Sequence, residues 1–90
     1  MSDLKENFDF AVNNIRNLKQ KPSNDELLEI YALYKQATEG DCNTSKPSMF
    51  DLKATYMWNK WKSLSGKSKT SAMQEYCNLF LDLSDKYGIN

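Results

Sequence analysis

Between Ser23 and Gly40 the chain carries a helix with more apolar surface than one packing face uses. Its start is marked. Ser23-Asn24-Asp25-Glu26 has the form of a capping box, with Ser23 as N-cap and Glu26 reaching back to it. Gly40 marks the stop. At about 100° of rotation per residue, Ile30, Leu33 and Ala37 share an ordinary core arc. Leu27, Leu28, Tyr31, Tyr34 and Lys35 fall on an adjacent arc. Together the two arcs cover more than half the circumference, and a surface helix in a four-helix bundle needs less.

Three further helices flank this one. Leu4, Phe8, Ala11, Val12, Ile15 and Leu18 recur in steps of three and four, which predicts a helix from about Ser2 to Leu18. Lys19 and Lys21 suit its C-terminus, and Pro22 forces a break. After Gly40 a stretch rich in Asp, Asn, Thr, Ser and Pro is long enough to cross from one end of a bundle to the other. Ser48-Met49-Phe50-Asp51 resembles a second capping box, so the third helix is expected near Ser48 to Leu64, closed by Ser65-Gly66. Ser68 or Thr70 caps a fourth, with Ala72, Met73, Tyr76, Cys77, Phe80, Leu83 and Tyr87 on its apolar face and Gly88 beyond its end. No strand alternation or internal repeat stands out. The fold class is all-α, and periodicity alone does not give the topology.

The chain has 90 residues and reads as a single domain, 1–90. Chains this short hide only roughly 60–68 % of their unfolded surface, so a ligand site must share a thin core. Lysine plus arginine equals aspartate plus glutamate, 12 each, which argues against a general nucleic-acid binder. Histidine is absent, removing the usual proton shuttle and the commonest metal ligand. No metal site is expected. Cys42 and Cys77 have no CxxC partner. A disulfide between them stays open, although two scattered thiols without a signal sequence fit a reducing compartment. Cys42 reads as a surface thiol and Cys77 as a small core residue. The N-terminus is polar, no apolar run approaches the ~20 residues of a membrane span, and the C-terminus carries no lipidation signal. Cytoplasm is the expected location and a monomer the expected state.

The second arc has a chemistry of its own. Tyr31 and Tyr34 are three apart and Tyr31 and Lys35 four apart, so the three side chains are neighbours. Two phenols and an ammonium donate to phosphate, and an aromatic ring offers a purine a stacking surface. The patch suits a phosphorylated adenosine. The ordinary alternative is half-buried tyrosines with hydroxyls at the surface beside a solvated lysine.

The run Tyr31-Ala32-Leu33-Tyr34-Lys35-Gln36-Ala37-Thr38-Glu39-Gly40-Asp41-Cys42-Asn43 resembles the signature YxxYKQAtxGdxN of acyl-CoA-binding proteins. The likeness continues through Lys46-Pro47, Met49-Phe50-Asp51-Leu52-Lys53, Trp58-Asn59-Lys60-Trp61, Leu64, Gly66, Ser68, Ala72, Met73, Tyr76 and Lys86-Tyr87-Gly88-Ile89. It implies a four-helix up-down-down-up bundle and a bowl for a long-chain acyl-CoA thioester. The coenzyme A head with its 3′-phosphoadenosine would sit at the rim and the acyl chain in an apolar groove. Such a carrier performs no chemistry and needs no cofactor. It would shield the tail and deliver the thioester, with transient contact to membranes or acyl-CoA-using enzymes.

By position, the resemblance assigns Tyr31 and Lys35 to the 3′-phosphate, Tyr34 to the nucleotide, and Tyr76, Lys53 and Arg16 to the head-group site. Arg16 stands where the family often has lysine. Phe8, Ala11, Val12, Leu27 and Leu28 match positions around the acyl groove and are equally good core residues. Met57 departs from the pattern: many members have a phosphate-binding lysine there, and losing one charge-assisted contact costs roughly 1.5–3 kcal/mol. Lys53 or Lys60 would compensate, with Lys60 favoured for its reach; otherwise the head binds less tightly, or Met57 adds apolar contact. Thr55 replaces another frequently basic position. Trp58 and Trp61 are either walls of the bowl or bundle packing. Two other function classes compete. One is a helical interaction module presenting the Tyr31/Tyr34/Lys35 face to a protein. The other is an acyl-CoA enzyme, weakened by the absence of histidine, a GxSxG elbow or a Cys–His pair.

Overall fold

In a computed structural model, residues 3–90 are described, and among them lie four α-helices and no strand. The helices are α1 (Leu4–Asn14), α2 (Asn24–Glu39), α3 (Leu52–Lys62) and α4 (Lys69–Tyr87), with a 3-10 turn at Ile15–Asn17. The expected helix start at Ser2 lies outside the described residues. Each helix opens on a side-chain cap, from Asp3, Ser23, Asp51 and Ser68 in turn. Both halves of the Ser23–Glu26 capping box are present.

Two boundaries differ from expectation. α1 stops at Asn14, where the Asn14 amide donates to the Phe10 carbonyl at 2.8 Å and Asn17 donates to Asn14 Oδ1 at 3.2 Å. Asparagine side chains compete here with the helical ladder, and Leu18 turns extended to pair with Ile89. α3 begins after Asp51, not at Ser48. The Ser48 Oγ accepts from the Phe50 N–H at 3.2 Å and the Ser48 carbonyl from the Asp51 N–H at 3.0 Å, so this segment is a turn. Asp51 then caps Ala54 at 3.0 Å.

Long-range contacts give the directions. Glu26, at the start of α2, holds Lys86 and the Tyr87 hydroxyl at the end of α4. Gln36, near the end of α2, donates to the carbonyl of Lys67 just before α4 at 2.7 Å. These two helices are therefore antiparallel. Trp61 at the end of α3 donates to Gly40 at the end of α2, so α2 and α3 are parallel, as the long crossover between them requires. Phe8 and Phe10 meet Tyr76 and Phe80, and Leu18 meets Ile89, so α1 runs with α4. The result is an up-down-down-up bundle packed in the order α1, α4, α2, α3.

α2 is one of two inner helices, packed between α4 and α3, which accounts for part of its wide apolar surface. Leu33 and Ala37 join Phe8, Ala11, Ala72, Tyr76 and Phe80 in the main core, with Ile30 packed alongside. Ala32 faces a second cluster with Cys42 and Trp61. Leu27, Leu28 and Tyr31 are left only partly covered.

Candidate functional site

Those uncovered residues of α2 line a groove of about 650 Å³ against α3. Asn24, Asp25, Leu27, Leu28 and Tyr31 form one wall, and Lys53, Tyr56 and Met57 the other. Parallel packing makes this possible, because it sets the first turns of both helices side by side. The lining is mainly aliphatic and aromatic carbon with a few polar ends. It suits an elongated amphiphile.

Lys35 lies one turn beyond Tyr31. Its ammonium pairs with the Glu39 carboxylate and stands 5.0 Å from the centroid of the Trp61 ring. The hydrogen bond to Glu39 raises the Lys35 pKa against the opposing effect of burial, so its charge is secure. Tyr31 packs against the Trp61 cluster. Tyr34 leans the other way, its ring stacked on Phe8 of α1 at 6.2 Å. Phe8 meets Tyr76 edge-on at 5.1 Å. Burial, and then the neighbouring Tyr34, push the Tyr76 phenol up to about 12. The patch on α2 thus spans from the α1 side to the α3 side, with a fixed cation on its α3 flank.

Several residues of the same stretch are scaffold. Gln36 is 0 % exposed and donates to Asp41 Oδ1 at 2.8 Å as well as to Lys67. Asp41 Oδ1 also accepts from the Gly66 N–H at 2.9 Å, and these bonds, Gly66 first, lower its pKa. Together they clamp the end of α2 to the turn between α3 and α4. Gly40 has φ 82° and ψ −150°, a backbone region open to little but glycine. Trp58 donates to the Thr44 carbonyl at 3.1 Å and pins the crossover. Neither Trp58 nor Trp61 lines the groove, and both belong to bundle packing. Cys42 is a correction: it is buried beside Ala32 and Trp61, not a surface thiol, because the crossover folds back over the indole. Cys42 and Cys77 are both free in this structure. Cys77 packs beside the core, as expected, and burial raises its pKa.

Of the residues assigned by position, the groove gathers Leu27, Leu28, Tyr31, Lys53 and Met57. Phe8 and Ala11 are buried in the main core and Val12 packs against it. Arg16 is exposed in the 3-10 turn after α1, away from the groove lining. Of the two lysines that would compensate for Met57, Lys53 lines the groove and Lys60, exposed farther round α3, does not. Asn24, Asp25 and Tyr56 were not anticipated. Asn24, Leu27, Leu28 and Tyr31 follow the i, i+3, i+4, i+7 pattern, and Lys53, Tyr56 and Met57 follow i, i+3, i+4, so helical spacing sets Asn24 and Tyr56 on the same faces as the assigned residues.

A family model described as acyl CoA binding protein matches residues 5–80. An acyl-CoA-binding protein of Saccharomyces cerevisiae is 51 % identical over 73 residues, covering 81 % of this chain and 84 % of that one. One from Gossypium hirsutum is 44 % identical over 85 residues, covering 94 % and 96 %. The crystal structure of Oryza sativa acyl-CoA-binding protein 2 superposes with a TM-score of 0.89 at 38 % identity, over 93 % of each chain. With the clamp, the bundle and the groove described above, these likenesses extend over nearly the whole chain, and it belongs to the acyl-CoA-binding protein family.

Proposed function

We propose that this protein binds medium- to long-chain acyl-CoA thioesters and acts as an intracellular carrier and pool former, without catalysis. The groove between α2 and α3 is the observation that carries the reading. It runs from Leu27 and Leu28 past Met57 to Tyr31, one turn from Lys35. An acyl chain along Leu27 and Leu28 loses contact with water, and each buried methylene contributes about 0.8 kcal/mol. The head then spans from Lys53 and Met57 past Tyr31 to Lys35, with Tyr34 on the α1 side. Lys35 exchanges Glu39 for the 3′-phosphate, and the tyrosine rings border the adenine. Tyr76 on α4 and Arg16 in the 3-10 turn after α1 complete the head-group site on that side. The binding unit is the whole chain, 1–90, working as a cytoplasmic monomer without cofactor or metal.

Calorimetric titration with palmitoyl-CoA, free CoA and free palmitate tests this. Tight binding of the thioester, weaker binding of CoA and little binding of palmitate are expected. Absence of heat with palmitoyl-CoA, with no change in tryptophan fluorescence, would overturn it. Incubation with palmitoyl-CoA followed by a free-thiol assay tests the non-catalytic part, since steady CoA release would mark a thioesterase.

A further inference from the structure

Four large apolar side chains are left in water along one short stretch: Met49 is 75 % exposed, Phe50 90 %, Leu52 63 % and Tyr56 59 %. Phe50 does not stand on a slack loop. The turn beneath it is closed by the Asp51 N–H to the Ser48 carbonyl at 3.0 Å and by the Phe50 N–H to Ser48 Oγ at 3.2 Å. Thr55 Oγ1 donates to the same carbonyl at 3.3 Å and ties the turn to α3. The phenyl ring is held outward.

α3 accordingly has two apolar faces. Trp61, Trp58, Met57 and Ala54 face inward. Leu52 and Tyr56, one turn apart, face outward, with Lys53 and Lys60 beside Tyr56 at three and four residues' spacing. Charge is concentrated here as well. Between Cys42 and Gln74 the chain has six lysines and one carboxylate, Asp51, although its overall charge is zero. Lys46, Lys53, Lys60 and Lys62 form no ion pair among the described residues. Lys53 and Tyr56 also line the groove, so this face runs into the groove mouth.

Contiguous exposed apolar groups mark an interaction surface. Aromatic and aliphatic tips set among unpaired lysines match an anionic bilayer, where ammonium groups stand at the headgroups and the tips enter the acyl boundary. We propose that the outward face of α3, with the turn bearing Met49 and Phe50, docks on an anionic lipid surface and sets the groove mouth against it. The purpose of docking, direct passage of an acyl chain between bilayer and groove, rests on the carrier reading. The docking itself does not.

The test is sedimentation of the wild type and a Phe50→Ser/Leu52→Ser variant with vesicles of phosphatidylcholine, alone or mixed with phosphatidylserine. Circular dichroism checks the variant's fold, and calorimetry without vesicles follows palmitoyl-CoA binding. The wild type is expected on the mixed vesicles, scarcely on the neutral ones, and less as sodium chloride rises. The variant is expected to bind mixed vesicles about tenfold more weakly with unchanged affinity for palmitoyl-CoA. Failure of the wild type to bind mixed vesicles overturns the proposal. So does equal binding to neutral vesicles, or a folded variant that binds like the wild type. Capture of a protein partner through this face without vesicle binding overturns it too. Loss of palmitoyl-CoA binding with vesicle binding intact removes the carrier reading and leaves the docking standing.

Discussion

Trp61 donates its indole N–H to the carbonyl oxygen of Gly40 at 2.9 Å, fastening the last turn of α3 to the end of α2. The two helices are parallel neighbours, and no short connection could hold them so. This bond, with the Gln36–Asp41–Gly66 clamp beside it, replaces a tight turn. Trp61→Phe keeps most of the packing and removes the donor. A loss of about 1–2 kcal/mol is expected, because a partly buried carbonyl is left without its partner. Gly40→Ala is expected to cost about 1–3 kcal/mol through the backbone alone. Urea midpoints with unchanged slope would show both. A Trp61→Phe protein as stable as the wild type would deny the fastening role.

The far end of the bundle is held by Glu26, and acid should release it. The Tyr87 hydroxyl, then Lys86 and the Ser23 N–H, bring the Glu26 carboxyl down from 4.5 to about 2. A group that binds its proton more weakly when folded favours the folded chain wherever it is ionised. The stabilisation is therefore complete above the unfolded pKa near 4.5 and fades as pH falls toward 2. Lys86, raised chiefly by its hydrogen bond to Glu26, behaves in the opposite sense. Its contribution is complete below 10.5 and fades as pH rises past that value. Thermal midpoints measured between pH 2 and pH 6 should fall less steeply for Glu26→Gln than for the wild type. Parallel curves would assign the acid sensitivity to other carboxyls.

Legibility in the sequence followed the caps. α2 begins and ends on unambiguous signals, Ser23 with Glu26 and then Gly40, and α4 ends on one, Gly88, while its start, open between Ser68 and Thr70, falls to Ser68. At α3 two oxygen-bearing residues, Ser48 and Asp51, compete for the same role, and only the path of the crossover decides between them. The burial of Cys42 and Gln36 depends on that path as well, and no helical period describes it. Within the candidate site, Leu27, Leu28 and Tyr31 are readable because they exceed what one packing face uses. Lys53 and Met57 are reached only through the resemblance. Tyr56 looks like any exposed tyrosine until α3 is set beside α2.

In the proposed arrangement Lys35 meets the head group common to all the ligands, so its loss should be indifferent to acyl length. Lys35→Ala is expected to weaken free CoA, octanoyl-CoA and palmitoyl-CoA by one similar factor, about ten- to a hundredfold. Glu39 holds the ammonium in the free protein. Glu39→Gln should therefore strengthen the same ligands, by no more than about fivefold because the pair is partly exposed. Calorimetry across the three ligands reads both effects. A loss on Lys35→Ala confined to long chains would move Lys35 from the head to the tail.

Met57 gives the sharpest test, because its two readings predict opposite outcomes. It shares the groove with Lys53, one turn earlier on α3, and with Tyr31 across it. If the head group passes here, Met57→Lys supplies a missing charge-assisted contact. Free CoA and its thioesters should then bind more tightly by about tenfold or more. Repulsion between the introduced ammonium and Lys53 would subtract only about 0.2–0.5 kcal/mol. If the acyl chain lies against Met57, the substitution removes apolar contact and places a charge beside the tail. Palmitoyl-CoA would then weaken while free CoA stays unchanged. Titrations at two salt concentrations separate the cases, since only the phosphate contact is screened. The head-group arrangement proposed above expects the first outcome, with the gain shared equally by free CoA and every thioester.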